Sequence, residues 1–148
     1  MRLTHFFASA AVLLACLANS DNSYASGAAN PDQAKGLWLS ADKAAVIEFA
    51  PCAELKTGLC GIIVWDKDAG TPNDDCGLMI AKLKEWDDDA WRNGWIHDPR
   101  SKKNYKGVVR VKNDVLHMRA FIGTEILGET EEMTRVTTIP AGCKAKAK

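Results

Sequence analysis

The chain has 148 residues, of which 47% are hydrophobic and 26% charged, and its 19 basic residues balance its 19 acidic residues. A neutral chain without a large basic face is not expected to bind nucleic acid. The sequence has no apolar stretch of the roughly 20 residues that a bilayer span needs, so we expect no transmembrane segment.

The first 25 residues have the three parts of a secretory signal peptide. Arg2 supplies positive charge, residues 6–18 are almost wholly apolar, and the small residues Ser23 and Ala25 form a cleavage site. We therefore predict that residues 1–25 are removed and that the protein is periplasmic or secreted. About 120 residues remain, which is enough for one domain with its own core.

A second interpretation of this segment stays open. Leu13-Leu14-Ala15-Cys16 resembles a lipobox, in which Cys16 becomes the lipidated first residue of a lipoprotein. Residues 17–35 would then form a polar tether between the lipid anchor and the folded domain. Either route removes Cys16 from the pool of thiols available for pairing.

A flexible linker is predicted at 26–34, and after it the chain is dominated by short runs of β-branched and aromatic residues. Clusters of Gly, Pro, Asn and Asp separate these runs, and helical periodicity is nearly absent. The pattern predicts eight strands, at 36–41, 44–50, 58–65, 78–84, 91–98, 103–112, 115–122 and 128–137.

The turns between these strands indicate how the strands pair. Asn113-Asp114 is typical of a two-residue hairpin turn, and residues 98–101 suit a longer one. Closing such a meander removes its unpaired edges. We therefore predict an all-β protein, an antiparallel up-and-down β-barrel of about eight strands over residues 35–139, followed by a Lys-rich tail at 140–148.

The order and spacing of several short motifs resemble those of the bacterial exported lipocalin-like proteins of domain-of-unknown-function family 2147. The matching pieces are Gly36-Leu37-Trp38, residues 59–65 (LCGIIVW), residues 94–99 (GWIHDP) with Tyr105, Leu116 with residues 119–123 (RAFIG), and Gly128 with Thr130 and residues 134–136 (TRV).

The resemblance implies a lipocalin-like barrel in the periplasm or outside the cell, and it implies no established activity. In lipocalin-like barrels, a Gly-x-Trp motif in the first strand packs beneath an arginine of the last strand. Trp38 and Arg135 match these positions, so the resemblance implies that they touch and lock the closed end of the barrel.

Four cysteines remain after processing, and their spacing favours disulfides over other chemistry. Cys52 and Cys60 are separated by seven residues, which fits neither a zinc site nor a redox couple. Because Cys52 ends one predicted strand and Cys60 begins the next, the two thiols would face each other across a hairpin. Cys76 and Cys143 are then left as a second pair.

Metal and catalytic motifs are weak in this sequence. Residues 66–75 are acidic, but they lack defining positions of a calcium loop, so only a weak non-EF cation site stays open as an alternative. His97 and His117 are the candidate general bases, and both have simpler explanations at a turn and on an outward face. We expect no metal, no cofactor and no enzymatic activity.

The leading functional hypothesis is an exported binding module whose barrel holds a small, largely apolar molecule. The rival is a cell-envelope protein-interaction domain with a filled barrel core, which an exposed apolar patch would favour. No sequence feature indicates an oligomeric state. The candidate ligand-binding residues lie on the more apolar faces of their strands, and they are Trp38, Ile47, Phe49, Tyr105, Leu116 and Met118.

Overall fold

A computed structural model describes residues 28–143, which form one antiparallel sheet with two short 3-10 helices at Pro31–Ala34 and Glu125–Leu127. The predicted signal peptide, the alternative anchor at Cys16 and residues 144–148 lie outside the described residues. The strands are β1 (Gly36–Leu39), β2 (Ala45–Pro51), β3 (Leu59–Asp66), β4 (Met79–Leu83), β5 (Glu85–Asp87), β6 (Ala90–Asp98), β7 (Lys103–Lys112), β8 (Val115–Phe121) and β9 (Glu129–Val136).

The sheet closes into a barrel in two places. The first strand pairs with the last, with Trp38 opposite Arg135. β4 pairs with β6, with Lys82 opposite Trp95. β5 continues β4 after Lys84 and pairs with the same neighbour, β6. The nine strands therefore form the eight walls of an antiparallel up-and-down barrel, as the sequence predicts.

Local sequence explains the pairing of β7 with β8. Asn113 and Asp114 both have positive φ, 51° and 59°, the conformation that a two-residue turn needs to match the twist of its strands. Val109 of β7 and Leu116 of β8 are both buried in the interior cluster, while Lys106 on the other face is exposed. Alternation along each strand thus separates an apolar interior from a polar outer wall.

The two ends of the barrel are built differently. The closed end carries the N-terminal 3-10 helix and the connections 52–58, 88–89 and 113–114. The open end carries the connections 40–44, 67–78, 99–102 and 122–128. Antiparallel strands send alternate connections to opposite ends, so side chains of all four upper connections meet around one opening.

Three sequence expectations need correction. The predicted linker at 26–34 contains the 3-10 helix Pro31–Ala34, and Ala34 is buried against the barrel. The strand predicted at 115–122 is one residue shorter, since β8 ends at Phe121 and Ile122 is exposed. The connection predicted between the strands at 78–84 and 91–98 is shorter as well, since β5 spans Glu85–Asp87 and Asp87 pairs with Ala90.

Between residues 28 and 143, the described helices are all too short to cross a membrane.

Candidate functional site

The closed end is sealed around Trp38, which has no solvent exposure. Its indole Nε1 donates a hydrogen bond to the carbonyl of Ala34 at 2.8 Å. The Arg135 guanidinium lies over the indole ring, 4.1 Å from its centroid, which is the contact implied by the family resemblance. The same guanidinium donates to the carbonyls of Gln33, at 2.5 Å, and Lys35, at 3.0 Å.

A second indole strengthens this seal. Trp91 at the start of β6 donates through Nε1 to the carbonyl of Pro31 at 3.0 Å. The last carbonyls of a short helix have no partner within it and need donors from elsewhere. Trp38 and Arg135 supply those donors, and Trp91 holds the first residue of the helix. The 3-10 helix therefore plugs the bottom of the barrel.

The lower half of the barrel is filled with side chains. Three of the predicted ligand-binding residues, Trp38, Phe49 and Leu116, belong to this packed core and line neither cavity of the open end. Phe49 occupies the space beside Gly61, where an added Cβ would lie 2.8 Å from the Phe49 ring. A ring packed against a bare backbone leaves no room for a ligand at this level.

The upper half contains two cavities that meet at the open end. The rim cavity has a volume of about 420 Å³ and lies between β6, β8, β9 and their connections. The loop cavity has about 260 Å³ and lies between β2, β3 and the connections 40–44 and 67–78. Both are bordered by Ile80, Pro99, Arg100 and Glu131.

The other three predicted residues do line these cavities. Met118 and Tyr105 border the rim cavity, and Ile47 borders the loop cavity. The Tyr105 hydroxyl lies 3.5 Å from Ser101 Oγ, at the outer limit of a hydrogen bond. The remaining apolar wall of the rim cavity consists of Ile80, Ile96, Pro99, Ala120, Phe121, Ile122 and Leu127.

Sequence reasoning missed the most unusual group in the mouth, Glu131. It lies opposite Met118 in the β8–β9 pair and two residues before the buried Met133, so its side chain shares their inward face. The sequence signal for this position is the alternation of the strand, which puts Glu131 on the same face as Met133. Arg100, on the turn after β6, carries no such periodic signal because turns have no repeating faces.

Burial raises the pKa of Glu131 above its ordinary value. The carboxylates of Asp42 and Asp98 act in the same direction, while a backbone hydrogen bond from Ala41 and the charge of Arg100 oppose them. A carboxyl group with a raised pKa keeps its proton to higher pH and then donates a hydrogen bond. Glu131 thus places against the apolar wall one polar group that accepts hydrogen bonds when ionised and can donate one when protonated.

The acidic side chains at the connection 67–78 accept hydrogen bonds from the backbone of the same connection. Asp66 accepts hydrogen bonds from the backbone N–H groups of Asp68 and Asp75, each at 2.9 Å. Asp74 accepts from the N–H groups of Gly70, at 2.9 Å, and Cys76, at 2.7 Å. Within residues 28–143, no cluster of three or more His, Cys, Asp or Glu side chains is arranged to hold a metal ion.

Outside the barrel wall, two arginines hold the connection between β8 and β9. Glu125 accepts hydrogen bonds from Arg92 at 2.8 Å and from Arg110 at 2.9 Å. Burial opposes ionisation of Glu125, but the hydrogen bonds from these arginines outweigh it and lower its pKa. Asp89 pairs with both arginines as well. The cluster fastens the connection 122–128 to β6 and β7.

The two histidines considered as general bases contact neighbouring strands. His97 Nδ1 lies 2.6 Å from Asn104 Oδ1, at the edge of the rim cavity. His117 Nδ1 lies 3.5 Å from Glu132 Oε1, and His117 borders neither the rim cavity nor the loop cavity. The arrangement therefore places one histidine at the opening and the other away from it.

Both predicted cysteine pairs are confirmed as disulfides. Cys52–Cys60 closes the connection between β2 and β3, with the Cα atoms 5.0 Å apart. Cys76–Cys143 ties the segment after β9 to the connection 67–78, with the Cα atoms 5.7 Å apart. Residues 140–143 of the predicted tail therefore lie against the barrel, where Trp65 Nε1 donates to the Ala141 carbonyl at 3.3 Å. Such bridges are typical of proteins outside the reducing cytosol.

The closed eight-walled barrel, sealed at one end and hollow at the other, defines a lipocalin-like protein. Among solved structures, it is similar to protein HP1028 from the human pathogen Helicobacter pylori, which belongs to the lipocalin family. The TM-score is 0.55 at 14% sequence identity, and the match covers 70% of this chain and 83% of that chain. At this identity the likeness shows the fold alone.

The chain itself belongs to the bacterial family described as "Uncharacterized protein conserved in bacteria (DUF2147)", whose sequence profile matches residues 36–135. The matched region runs from β1 to β9, so family membership rests on the barrel and not on its N-terminal segment. Comparison with curated protein sequences finds no match.

Proposed function

We propose that this protein is an exported binding module that holds a small, largely apolar molecule in the rim cavity. The observation that carries the proposal is the division of the barrel into a packed, sealed lower half and an upper half with a cavity of about 420 Å³. Cavities of roughly 300 to 1,000 Å³ with mostly apolar walls are typical of small-molecule sites.

The proposed ligand has one polar group and an apolar body. Ile96, Met118 and Phe121 offer apolar contacts, and each buried methylene contributes about 0.8 kcal/mol to binding. Glu131 and Arg100 border the same cavity and offer a carboxyl group and a guanidinium to the polar group. The half-exposed Tyr105 hydroxyl, with only a long contact to Ser101, offers a third.

Export is part of the proposal. Two disulfides and a bacterial family fit a protein of the periplasm or the cell exterior. The cleavage after Ala25 is supported by the sequence of residues 1–25. Mass determination of the protein recovered from the periplasm tests it: a start at Ser26 supports this cleavage, and an acylated Cys16 supports the lipoprotein alternative instead.

Ligand binding is tested with a displacement assay. None of the five tryptophans borders the rim cavity, so intrinsic fluorescence is a poor reporter. We expect fatty acids, isoprenoids or small aromatic metabolites to displace an environment-sensitive apolar dye, with the affinity then measured by calorimetry.

Met118→Trp is the blocking variant for this assay, because an indole at this position fills the rim cavity. Met79→Trp is the matched control, since Met79 begins β4 and borders neither the rim cavity nor the loop cavity. We expect Met118→Trp to weaken binding by about tenfold or more, the loss of roughly two methylene contacts, and Met79→Trp to leave it unchanged. Equal affinity of both variants would place the ligand elsewhere, and no binding of any compound would contradict the proposal.

A further inference from the structure

Three large apolar side chains stand exposed at one side of the opening. Ile122, Ile126 and Leu127 have exposed fractions of 78%, 86% and 81%. All three belong to the connection between β8 and β9, and we call them the rim patch. Single exposed apolar residues are common on soluble proteins, but three together beside a cavity mark an interaction surface.

The rim patch is presented by a fixed loop. Arg119 donates hydrogen bonds to the carbonyls of Glu125, at 2.7 Å, and Ile126, at 2.8 Å. The Glu125 carboxylate is held by Arg92 and Arg110 as described above. Ordering a loop on binding costs conformational entropy. Because these contacts already order the connection 122–128 in the free protein, binding through the rim patch does not carry that cost.

A basic hairpin lies beside the rim patch at the same opening. Residues 98–106 contain four basic side chains, Arg100, Lys102, Lys103 and Lys106, and one carboxylate, Asp98. Arg100 borders the rim cavity together with Ile122 and Leu127. Lys106 is the direct strand partner of Phe121, which is next to the rim patch in sequence. Apolar and cationic groups therefore share one side of the barrel mouth.

We propose that the rim patch and the basic hairpin dock the open end of the barrel on an anionic lipid surface. Apolar side chains that enter the headgroup boundary, flanked by lysines that attract anionic lipids, are the two components of interfacial membrane binding. The rim cavity lies between them, so docking turns its opening towards the bilayer.

The positive charge of the basic hairpin favours a lipid surface over a second copy of the chain. A second copy of the chain bound through the same patch would bring two basic hairpins together, which is unfavourable in a two-fold interface. Three apolar side chains are also few for a stable protein interface, which buries about 800 Å² on each partner. A lipid surface needs no shape complementarity, and its anionic headgroups match the charge of the hairpin.

The proposal does not depend on a ligand in the rim cavity. Vesicle binding concerns the outer edge of the mouth, while the displacement assay concerns its interior, so either can fail while the other succeeds. Docking and ligand binding together would describe a protein that exchanges an apolar molecule with a membrane.

The test is cosedimentation with lipid vesicles, using exported protein recovered without detergent so that no acylated form is present. We expect stronger binding to phosphatidylcholine vesicles that contain phosphatidylglycerol than to phosphatidylcholine alone, and weaker binding at high salt. The double variant Ile126→Ser, Leu127→Ser should lower the partition coefficient for both vesicles by about tenfold or more. Ile139→Ser is the matched control, because Ile139 is also exposed but lies after β9 and borders neither the rim cavity nor the loop cavity.

A charge variant separates the two components. Lys103→Gln with Lys106→Gln should lower binding to the anionic vesicles by roughly thirtyfold, which corresponds to about 1 kcal/mol for each lysine, and leave binding to phosphatidylcholine nearly unchanged. Absence of wild-type vesicle binding would overturn the proposal, and so would a rim variant that binds like the Ile139→Ser control. Dimers that the Ile126→Ser, Leu127→Ser variant abolishes, without lipid binding, would assign the patch to a second copy instead.

Discussion

Replacing Gly94 by alanine should open the barrel at its closing seam. Gly94 lies in β6 where that strand meets β4, and a Cβ added to it would stand 1.8 Å from the Lys82 carbonyl oxygen and 2.7 Å from Leu83 Cα. Both atoms belong to the backbone, so no side-chain rotation relieves the contact. The strand β4 has to move away from β6 by more than an ångström.

The cost follows from the hydrogen bonds at this seam. β4 and β6 are joined through only two register pairs, Ala81 with Ile96 and Lys82 with Trp95. Moving the strands apart stretches the hydrogen bonds between them beyond the donor–acceptor distance at which a hydrogen bond forms. A buried backbone group left without a partner costs about 1 to 3 kcal/mol. Two backbone groups left without a partner would therefore lower the free energy of unfolding by about 2 to 6 kcal/mol, a large part of a typical total of about 5 to 15 kcal/mol.

Urea denaturation followed by circular dichroism measures this change, and Gly107→Ala is its control. A Cβ at Gly107 would meet Cγ1 and Cδ1 of Ile96, at 2.6 and 2.7 Å. These atoms belong to a side chain that borders the rim cavity and can change rotamer into it, so we expect a loss of only about 1 to 2 kcal/mol. A Gly94→Ala protein that is as stable as Gly107→Ala, or within about 1 kcal/mol of the wild type, would refute the reasoning.

Two further predictions concern the two ends of the barrel. Arg135→Ala should lower the free energy of unfolding by about 1 to 2 kcal/mol, because the cation–π contact with Trp38 and two hydrogen bonds at an exposed position are lost. In urea denaturation, Arg135→Lys should recover less than half of the lost free energy of unfolding, because one ammonium group does not replace the planar guanidinium group. Full recovery would argue against a specific role of the guanidinium group. Glu131→Gln should raise the melting temperature at pH 7 but not at about pH 4. The pKa of Glu131 is higher in the folded than in the unfolded protein, so this carboxyl group lowers the free energy of unfolding once the pH rises above its unfolded-state pKa. An equal effect at both pH values in thermal denaturation would show that the substitution acts through packing.

The strands could be predicted because their signals are local. The two-residue turn at Asn113-Asp114 and the alternation from Leu116 to Met118 depend only on neighbours in the sequence, and the structure follows them. The disulfide Cys52–Cys60 was equally local, since it follows from a hairpin and its flanking residues.

Features that depend on distant contacts could not be predicted. Pro31–Ala34 has the composition of a linker, and its order comes from Trp91 and Arg135, which lie far along the chain. The inward positions of Trp38 and Phe49 were recognisable, but whether an inward side chain fills the barrel or borders a cavity depends on its height in the barrel. Glu131 shows the reverse case, where alternation was readable and a charged residue still faces inward.

The order of the disulfides along the chain affects how the protein is oxidised. The pairs are sequential, since Cys52 joins Cys60 and Cys76 joins Cys143, and neither loop contains a cysteine of the other. If the chain is exported as proposed, with residues 1–25 removed, an oxidase that acts on a chain emerging N-terminus first would meet Cys52 and Cys60 together and would find Cys76 alone until Cys143 arrives. Joining these four cysteines in order of appearance would yield the native pairs directly, so oxidation of the exported chain would require an oxidant but no rearrangement of wrong pairs.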